Sequence, residues 1–437
     1  MRRTDDITIR EFEYLTASTV RRGDCKHVSE RQFNALREFV LTNREGESPL
    51  ELMRLCSPPR VGEAIQAQNY VGVIQLSDGL QIEVLPKIDM SSDSDCSDRE
   101  VFLEMLRDLG GDVPFRPFDM AHVETSRLPL LEIFIAMFLA DASDLVRRGL
   151  RSAYVIVESE ERFVRGKIDF SRESRSNPAH AERFNVVYNE FLLDRAENRL
   201  IKTTLERLRR ISRNSENVRA ASRLLSAFDG VGTSRNVDAD LARCVSDRST
   251  VRYGTLIAWC RVFLKGQSFT MFRGQNVANA LLFPMERVFE DYVGKMLRRI
   301  SVPHGLRQVE LQAQTEWLFE GHKVSLRPDI LCTCHDGRRV VLDTKWKRVY
   351  GARDVATSDM HQMYAYGQRY TTAGEKMQHV LLLYPWHEGV KPGVMREERF
   401  VSKDNVQVDL FFVDLANARH SLRELAELIS DPSSLEW

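Results

Sequence analysis

Two aspartates and a lysine carry most of the chemical information in this sequence. They stand in Arg327-Pro-Asp329 and in Asp343-Thr-Lys345, separated by one short stretch. Side chains alternate along a strand, so Asp343 and Lys345 share a face about 7 Å apart along the backbone. Between the two aspartates, His335-Asp336-Gly337 has the make-up of a three-residue hairpin loop with Gly337 left-handed. With that loop Cys334 faces Arg338, and counting back sets Asp329 opposite Asp343 on the same face. A two-residue loop sets Asp329 opposite Thr344, on the wrong side. The favoured turn therefore gathers two carboxylates and a lysine.

Two converging carboxylates repel unless a cation lies between them. Hard oxygen ligands in this number suit Mg²⁺, which keeps several waters and accepts phosphate oxygens. Such a metal lowers the pKa of a bound water and stabilises charge developing on a phosphodiester. A neighbouring lysine orients or deprotonates that water and offsets transition-state charge. Asp-x-Lys alone is a weak signal, because exposed pairs at this spacing are common, and a structural ion pair is the competing reading. Here Val340-Val341-Leu342 precedes Asp343, and a charge at the end of a buried run needs compensation.

The elements that must position these groups follow from periodicity. Met285, Val288, Phe289, Tyr292, Val293, Met296, Leu297 and Ile300 make one helical stripe, with Glu290 beside it. Strands are predicted at 309–319, 323–334 and 338–346. A helix at 358–370 places Gln362 and Tyr366 on one face at i, i+4. Strands at 379–384 and 406–413 and a helix at 418–429 complete an αβββαβ order with further β and α, an α/β domain over 271–437. A β-rich domain is expected over 1–125. It contains a helix at 30–42 opened by the capping box Ser29-x-x-Gln32 and a hairpin over 70–85 centred on Asp78-Gly79. A further helix starts at Ser97-x-x-Glu100 and is stopped by Gly110-Gly111. The region 126–270 reads as mainly helical (129–148, 188–213, 217–228, 254–264), with a short strand at Tyr154–Glu158.

Composition bounds the rest. The 437 residues carry 62 Lys+Arg against 63 Asp+Glu, a net charge of −1 that lacks the basic signature of a protein binding nucleic acid unaided. That balance sums unlike parts: eight acids against Arg99 and Arg107 over 89–112, and 18 basic against 13 acidic residues over 144–229. The dispersed arginines read as a solvated helix surface with ion pairs; a phosphate-binding face needs a fold to assemble it. The longest apolar run, Ile133 to Ala140, is too short to span a membrane. The acidic residues near the N-terminus do not suit a signal peptide. Seven scattered cysteines fit a reducing compartment, so a cytoplasmic protein is expected. Cys332-x-Cys334-His335 reads as packing rather than a soft-metal cluster, and none of the ten histidines forms an H-x-x-x-H pair. No G-x-x-x-x-G-K-[ST] loop is present, so NTP hydrolysis has to come from another chain.

Pro-Asp329, Asp343-x-Lys345, the helical Glu290 and Gln362-x-x-x-Tyr366 together resemble the PD-(D/E)xK nuclease superfamily. That resemblance implies that Asp329 and Asp343 bind metal, that Lys345 is the catalytic lysine and Glu290 the helical acid, and that Gln362 and Tyr366 support the site or contact nucleic acid. Asp343 stands where many members have Glu. The chain also resembles the McrC family in several segments. These are Val73-Ile-Gln with Leu80-x-Ile-Glu-Val-Leu-Pro-Lys87, Leu130-Leu-Glu-Ile-Phe134, Leu145-Val-Arg-Arg-Gly-Leu150, Phe163-Val-Arg-Gly-Lys167, Asn189-Glu-Phe191, Glu197-Asn-Arg199 and Phe283-Pro-Met-Glu-Arg-Val-Phe-Glu290. This resemblance implies a Mg²⁺-dependent endonuclease subunit of a modified-cytosine-dependent restriction system, acting on methylated double-stranded DNA. It further implies that the N-terminal β-rich region docks on a hexameric McrB-like AAA+ GTPase or ATPase and stimulates its hydrolysis. Two other readings stay open: a non-enzymatic plug of such a ring, and a free-standing repair nuclease.

Overall fold

The computed structural model describes residues 6–19, 22–42, 52–76, 78–87, 95–108, 128–176, 183–244, 251–265, 277–314, 316–319, 321, 324–370, 378–396 and 399–431. The chain divides into two compact units, one drawn from both ends (1–111, 115–130 and 268–437) and one from the middle (112–114 and 131–267). No helix among the described residues is long and apolar enough to cross a membrane.

The N-terminal part of the first unit contains strands β1 (Ile7–Arg10), β2 (Tyr14–Thr16) and β3 (Cys25–His27), and helix α1 (Glu30–Thr42). Strands β4 (Met53–Cys56), β5 (Ala64–Ala67), β6 (Tyr70–Leu76) and β7 (Gln81–Leu85) and helix α2 (Asp95–Leu106) follow. Helix α1 starts as its capping box predicts. The Gln32 N–H donates to Ser29 Oγ (3.3 Å) and the Ser29 N–H donates to Gln32 Oε1 (3.0 Å), while Phe33, Leu36, Phe39 and Val40 enter the core. Removing the hydroxyl leaves an orphan donor, so Ser29→Ala is expected to cost about 1 kcal/mol, readable as a lower denaturant midpoint at unchanged slope. The β6–β7 hairpin turns through Asp78 and a left-handed Gly79 (φ 95°), with Ile74 paired to Ile82. Two acids of the described part of the acidic stretch are paired, Asp98 with Arg10 and Asp108 with Arg299, while Arg99 grips buried Glu83 through two bonds. The expected Gly110-Gly111 stop lies outside the described residues.

The second unit holds α3 (Leu130–Arg147), β8 (Ala153–Glu161), β9 (Lys167–Ile168), α4 (Phe170–Ser176) and β10 (Phe184–Leu192). Helices α5 (Ala196–Ile211), α6 (Ser215–Ser226), α7 (Val237–Arg243) and α8 (Val251–Lys265) complete it. The helix expected at 188–213 is corrected here. Residues 184–192 form a strand paired antiparallel with β8 along its whole length, and helix begins only at Ala196. The β-branched and aromatic run Val186-Val187-Tyr188 suits a pleated strand once a partner strand is available, and tertiary pairing overrides the helical reading. Several of the dispersed arginines do make ion pairs: Arg147 and Arg148 with Asp144, Arg172 with Glu158 and Arg183 with Glu160.

The chain then returns to the first unit. Strand β11 (Val277–Pro284) adds to the edge of β6, giving the order β1-β7-β6-β11, and runs directly into α9 (Met285–Ile300). Strands β12 (Leu306–Leu311), β13 (Glu316–Trp317), β14 (Ser325–Leu326), β15 (Ile330–Cys334) and β16 (Arg339–Thr344) come next. Helix α10 (Thr357–Arg369), β17 (Gln378–Pro385), β18 (Gly393–Val394), β19 (Phe400–Val401), β20 (Val406–Val413) and α11 (Ala418–Ser430) end the fold. Among the described residues these build a mixed sheet in the order β12-β15-β16-β17-β20-β18, with β19 also paired to β20. The first three strands are antiparallel, and β16, β17 and β20 are parallel. Helix α10 buries Met363 and Tyr366, and Tyr370 directly after it, against Val341, Val380, Leu382 and Val408. On the other face α11 reaches Cys334, whose thiol donates to the Ile429 carbonyl. There Gly294 of α9 lies so close to Leu311 that a Cβ would stand 2.7 Å from its side chain. Two expected strands are shorter than their periodicity suggests. The 309–319 run breaks at Gln312, whose φ is 53°, and the 323–334 run is interrupted around Pro328, which has no N–H for a ladder.

Candidate active site

The β15–β16 hairpin has the predicted turn. The Cys334 N–H donates to Arg338 O (2.8 Å), the Gly337 N–H donates to Cys334 O (3.1 Å), and Gly337 is left-handed at φ 92°. Pairing runs from Thr333–Arg339 to Ile330–Leu342, so the next step sets Asp329 across from Asp343. A slip of one residue would move every side chain to the other face.

Asp343 stands next to last in β16, its side chain 1 % exposed and paired to the Lys345 ammonium. Apart from that lysine, neither carboxylate oxygen meets a hydrogen-bond donor among the described residues. Lys345 Nζ also donates to Gln362 Oε1 (3.2 Å), the Gln362 amide donates to the Tyr366 hydroxyl (2.8 Å), and that hydroxyl donates to the Arg327 carbonyl (2.9 Å). This chain of bonds fixes which end of the Gln362 amide faces the lysine. Asp329 is held differently, with Oδ2 accepting from the Thr344 N–H (2.8 Å) and hydroxyl (2.7 Å). Glu290 comes from α9, where it accepts from the Gln312 side-chain amide, and the Gln312 N–H donates to the Asp329 carbonyl (2.8 Å). The structure thus gathers all six residues singled out in the sequence around the β15–β16 hairpin, in two hydrogen-bonded chains, Asp343–Lys345–Gln362–Tyr366 and Glu290–Gln312–Asp329–Thr344.

The electrostatics have a common origin. Burial first, then the charges of Asp329, Asp291 and Asp343, push the Glu290 carboxyl up to about 8. Burial and the Asp329 charge also raise Asp343, against the opposing pull of Lys345. For Lys345 burial acts downward, but the Asp343 carboxylate outweighs it, so the ammonium is held more firmly than in water. Burial followed by the Asp343 charge raises Tyr366. Neighbouring acids crowd one another, and the opposing pulls of Lys345 on Asp343 and of Arg287 on Glu290 do not relieve them.

No three His, Cys, Asp or Glu side chains among the described residues converge into a cage of their own. What remains is a pair of aspartates on facing strand positions, one of them buried with unfilled oxygens. That fits an ion which takes one or two carboxylates and keeps its waters, as Mg²⁺ does, and does not fit a closed zinc site.

Sequence reasoning missed Gln312 and Thr344. Thr344 lies inside Asp-x-Lys, and its hydroxyl was legible there as a donor to a neighbouring strand. Nothing in the local sequence marks Gln312, because its position depends on β12 lying beside β15. Lys347, which donates to Asp359 Oδ2 (2.9 Å) on α10, was likewise not singled out.

A family model for McrBC 5-methylcytosine restriction system components matches residues 65–385. The chain belongs to this family. The matched stretch runs from β5 to the end of β17 and contains all six candidate residues, and the resemblance to McrC read from the motifs holds. Among solved structures, the chain is similar to one in a half-complex from a tetradecameric assembly of Thermococcus gammatolerans McrB AAA+ hexamers with bound McrC. The TM-score is 0.71 at 19% identity, covering 97% of this chain and 100% of that one. A chain of the Thermococcus gammatolerans McrBC complex also matches, with TM-score 0.50 and 21% identity over 68% of this chain and 88% of that one. No curated protein matches the sequence. At these identities the likeness to the McrBC structures is one of fold.

Proposed function

We propose that this chain is the endonuclease subunit of an McrBC-type, modified-cytosine-dependent restriction system, hydrolysing phosphodiester bonds in methylated double-stranded DNA. The observation that carries the reading is Asp343, a buried carboxylate set opposite Asp329 and gripped by Lys345. A structural ion pair has no need of a second acid facing it; a metal-dependent hydrolase does. The antiparallel β12-β15-β16 strands leading into parallel β17, with α9 before them and α10 after the hairpin, support a PD-(D/E)xK-type layout. Asp329 and Asp343 would hold Mg²⁺, which supplies Lewis-acid stabilisation of phosphodiester charge and an acidified water. Lys345, steadied by Gln362, orients the attacking water and donates toward the developing negative charge. Gln362 and Tyr366 keep that ammonium from swinging out, and Thr344 holds the Asp329 carboxylate in place. Glu290, its carboxyl raised by burial and then by its acidic neighbours, can hold a proton near neutral pH at the edge of the site.

The partner belongs to the same proposal. The matched complexes contain McrB AAA+ hexamers, and this chain has no phosphate-binding loop of its own. A McrB-like AAA+ GTPase or ATPase would supply recognition and translocation, docked on the β-rich domain over 1–125 and stimulated by it. The helical 126–270 region would connect that domain to a nuclease domain over 271–437.

Reconstitution tests this. The full chain, the AAA+ protein of a neighbouring gene, NTP and Mg²⁺ are expected to cut plasmid DNA containing methylcytosine into linear products. Omitting the partner or adding EDTA is expected to stop cutting. Metal-dependent cutting by the chain alone would instead point to a free-standing nuclease, and no cutting in any combination would end the proposal.

A further inference from the structure

The lysine of the proposed site stands on a segment that has no secondary structure of its own. Strand β16 ends at Thr344, and residues 345–348 continue as irregular backbone. Their side chains nevertheless alternate strictly in what they hold. Lys345 and Lys347 reach α10, at Gln362 (3.2 Å) and Asp359 (2.9 Å). Trp346 and Arg348 reach the N-terminal part of the chain. The Trp346 indole N–H donates to Glu11 (3.0 Å to Oε1 and 3.1 Å to Oε2), and Arg348 Nη2 donates to the Lys87 carbonyl (3.1 Å). The two anchors are themselves joined, because the Lys87 N–H donates to Glu11 Oε2 (3.1 Å).

Glu11 is built to be an anchor. It is 1 % exposed, in the turn between β1 and β2, and its N–H extends the β1–β7 pairing to Leu85 O (3.0 Å). The next residue, Phe12, is left-handed at φ 68°, a conformation costly for an aromatic side chain, and its N–H is fixed on Ala67 O (3.0 Å). Burial drives the Glu11 carboxyl up to about 7 despite bonds from Lys87 and Trp346. An apolar residue in that place would stabilise the fold more cheaply, so a buried acid on a strained turn calls for a reason beyond stability. On its other side the Trp346 ring packs against Phe289 at 5.4 Å, next to Glu290 on α9. One indole therefore touches the N-terminal turn through its N–H and the helix carrying Glu290 through its face.

Resting on the nuclease reading above, we propose that Glu11 is a positioning residue of the site: by holding the Trp346 indole it sets the backbone that aims Lys345. The N-terminal turn and the catalytic segment then move as one body, and anything that displaces the turn displaces the lysine.

The test uses the full chain with its AAA+ partner on methylcytosine plasmid and compares Glu11→Gln, Glu11→Ala, Trp346→Phe and Lys345→Ala. Trp346→Phe keeps an aromatic ring on Phe289 but removes the N–H. It is expected to lower kcat about 10-fold with KM for DNA within two-fold of wild type. Glu11→Ala is expected to match it, while Glu11→Gln, whose amide oxygen still accepts from the indole, is expected to retain at least a third of wild-type kcat. Thermal melts check that each variant is folded, and Glu11→Gln against Glu11→Ala keeps the test usable if Trp346→Phe melts early. Folded Trp346→Phe cutting at the wild-type rate, or Glu11→Gln as impaired as Glu11→Ala, overturns the positioning role while Lys345→Ala stays inactive. Wild-type cutting by Lys345→Ala overturns the nuclease reading, and this proposal with it.

Discussion

Replacing Asp343 by Asn is expected to lower DNA cleavage by about 10²–10⁴-fold while leaving the melting temperature of the metal-free protein essentially unchanged. The two halves of that expectation have one cause. Burial and the Asp329 charge raise the Asp343 carboxyl above its ordinary value. A carboxyl whose folded-state pKa is raised favours the fold most below its unfolded pKa, and that contribution is lost as pH rises through the folded value. At neutral pH the ionised side chain is thus a cost to folding that a neutral amide of the same shape removes, and the lost attraction for the Lys345 ammonium offsets that gain. The same amide cannot offer an anionic oxygen to a metal. Were the Asp343–Lys345 contact only a structural ion pair, the outcome would invert. Breaking a buried pair from one side costs about 3–5 kcal/mol, and activity would follow only through unfolding. Rates of plasmid cutting by the reconstituted complex, measured beside a thermal melt of each variant, separate the cases. A folded Asp343→Asn that cuts at the wild-type rate removes Asp343 from the chemistry.

A second large effect is expected far from the site. Gly72 lies inside β6 at φ 144°, and a Cβ there would stand 2.0 Å from the Leu281 carbonyl oxygen. That oxygen belongs to the backbone of β11, which cannot rotate away as a side chain can. Gly72→Ala must either break the backbone conformation or push β11 off the sheet, at a cost on the order of 4 kcal/mol and a fall in melting temperature of roughly 10 °C. The damage should spread, because β11 leads without a loop into α9, where the Met285 N–H is held on Asn69 O (3.0 Å) and Glu286 on the Asn69 amide (3.1 Å). Displacing β11 moves the helix that carries Glu290. Gly254 in α8 is the contrast, since nothing lies within 4 Å of its added Cβ, and Gly254→Ala should be neutral or stabilising by up to about 1 kcal/mol. Equal melting temperatures for wild type and Gly72→Ala would show that β11 yields more easily than its pairing implies.

Much of the site was legible along the chain because its parts are local. Asp329, the turn at 335–337 and Asp343-x-Lys345 lie on one hairpin, and loop length alone sets which residues face each other. Gln362 and Tyr366 are one helical turn apart, so helix geometry places them together wherever the helix docks. The strand at 184–192 was not legible in this way. Its Val186-Val187-Tyr188 run suits a strand only when β8 lies alongside, and the helical pattern of α5 was extended through it. Gln312 escaped for the same reason: its positive φ and its bonds to Glu290 and Asp329 exist only where β12 meets β15 and α9.

By itself, then, the sequence determined the hairpin that carries both aspartates and the lysine, the helices that flank it, the absence of a phosphate-binding loop and the family to which the chain belongs. Those features depend on turn chemistry, side-chain periodicity and motif spacing, all of which act over a few residues. Only the tertiary structure decided that Asp343 is buried without a second donor, that β11 leaves the C-terminal half to complete the N-terminal sheet, and that Glu11 reaches Trp346. Each of these depends on which distant surfaces exclude water together. Burial, desolvation and long-range hydrogen bonds are properties of that packing and have no local sequence signature.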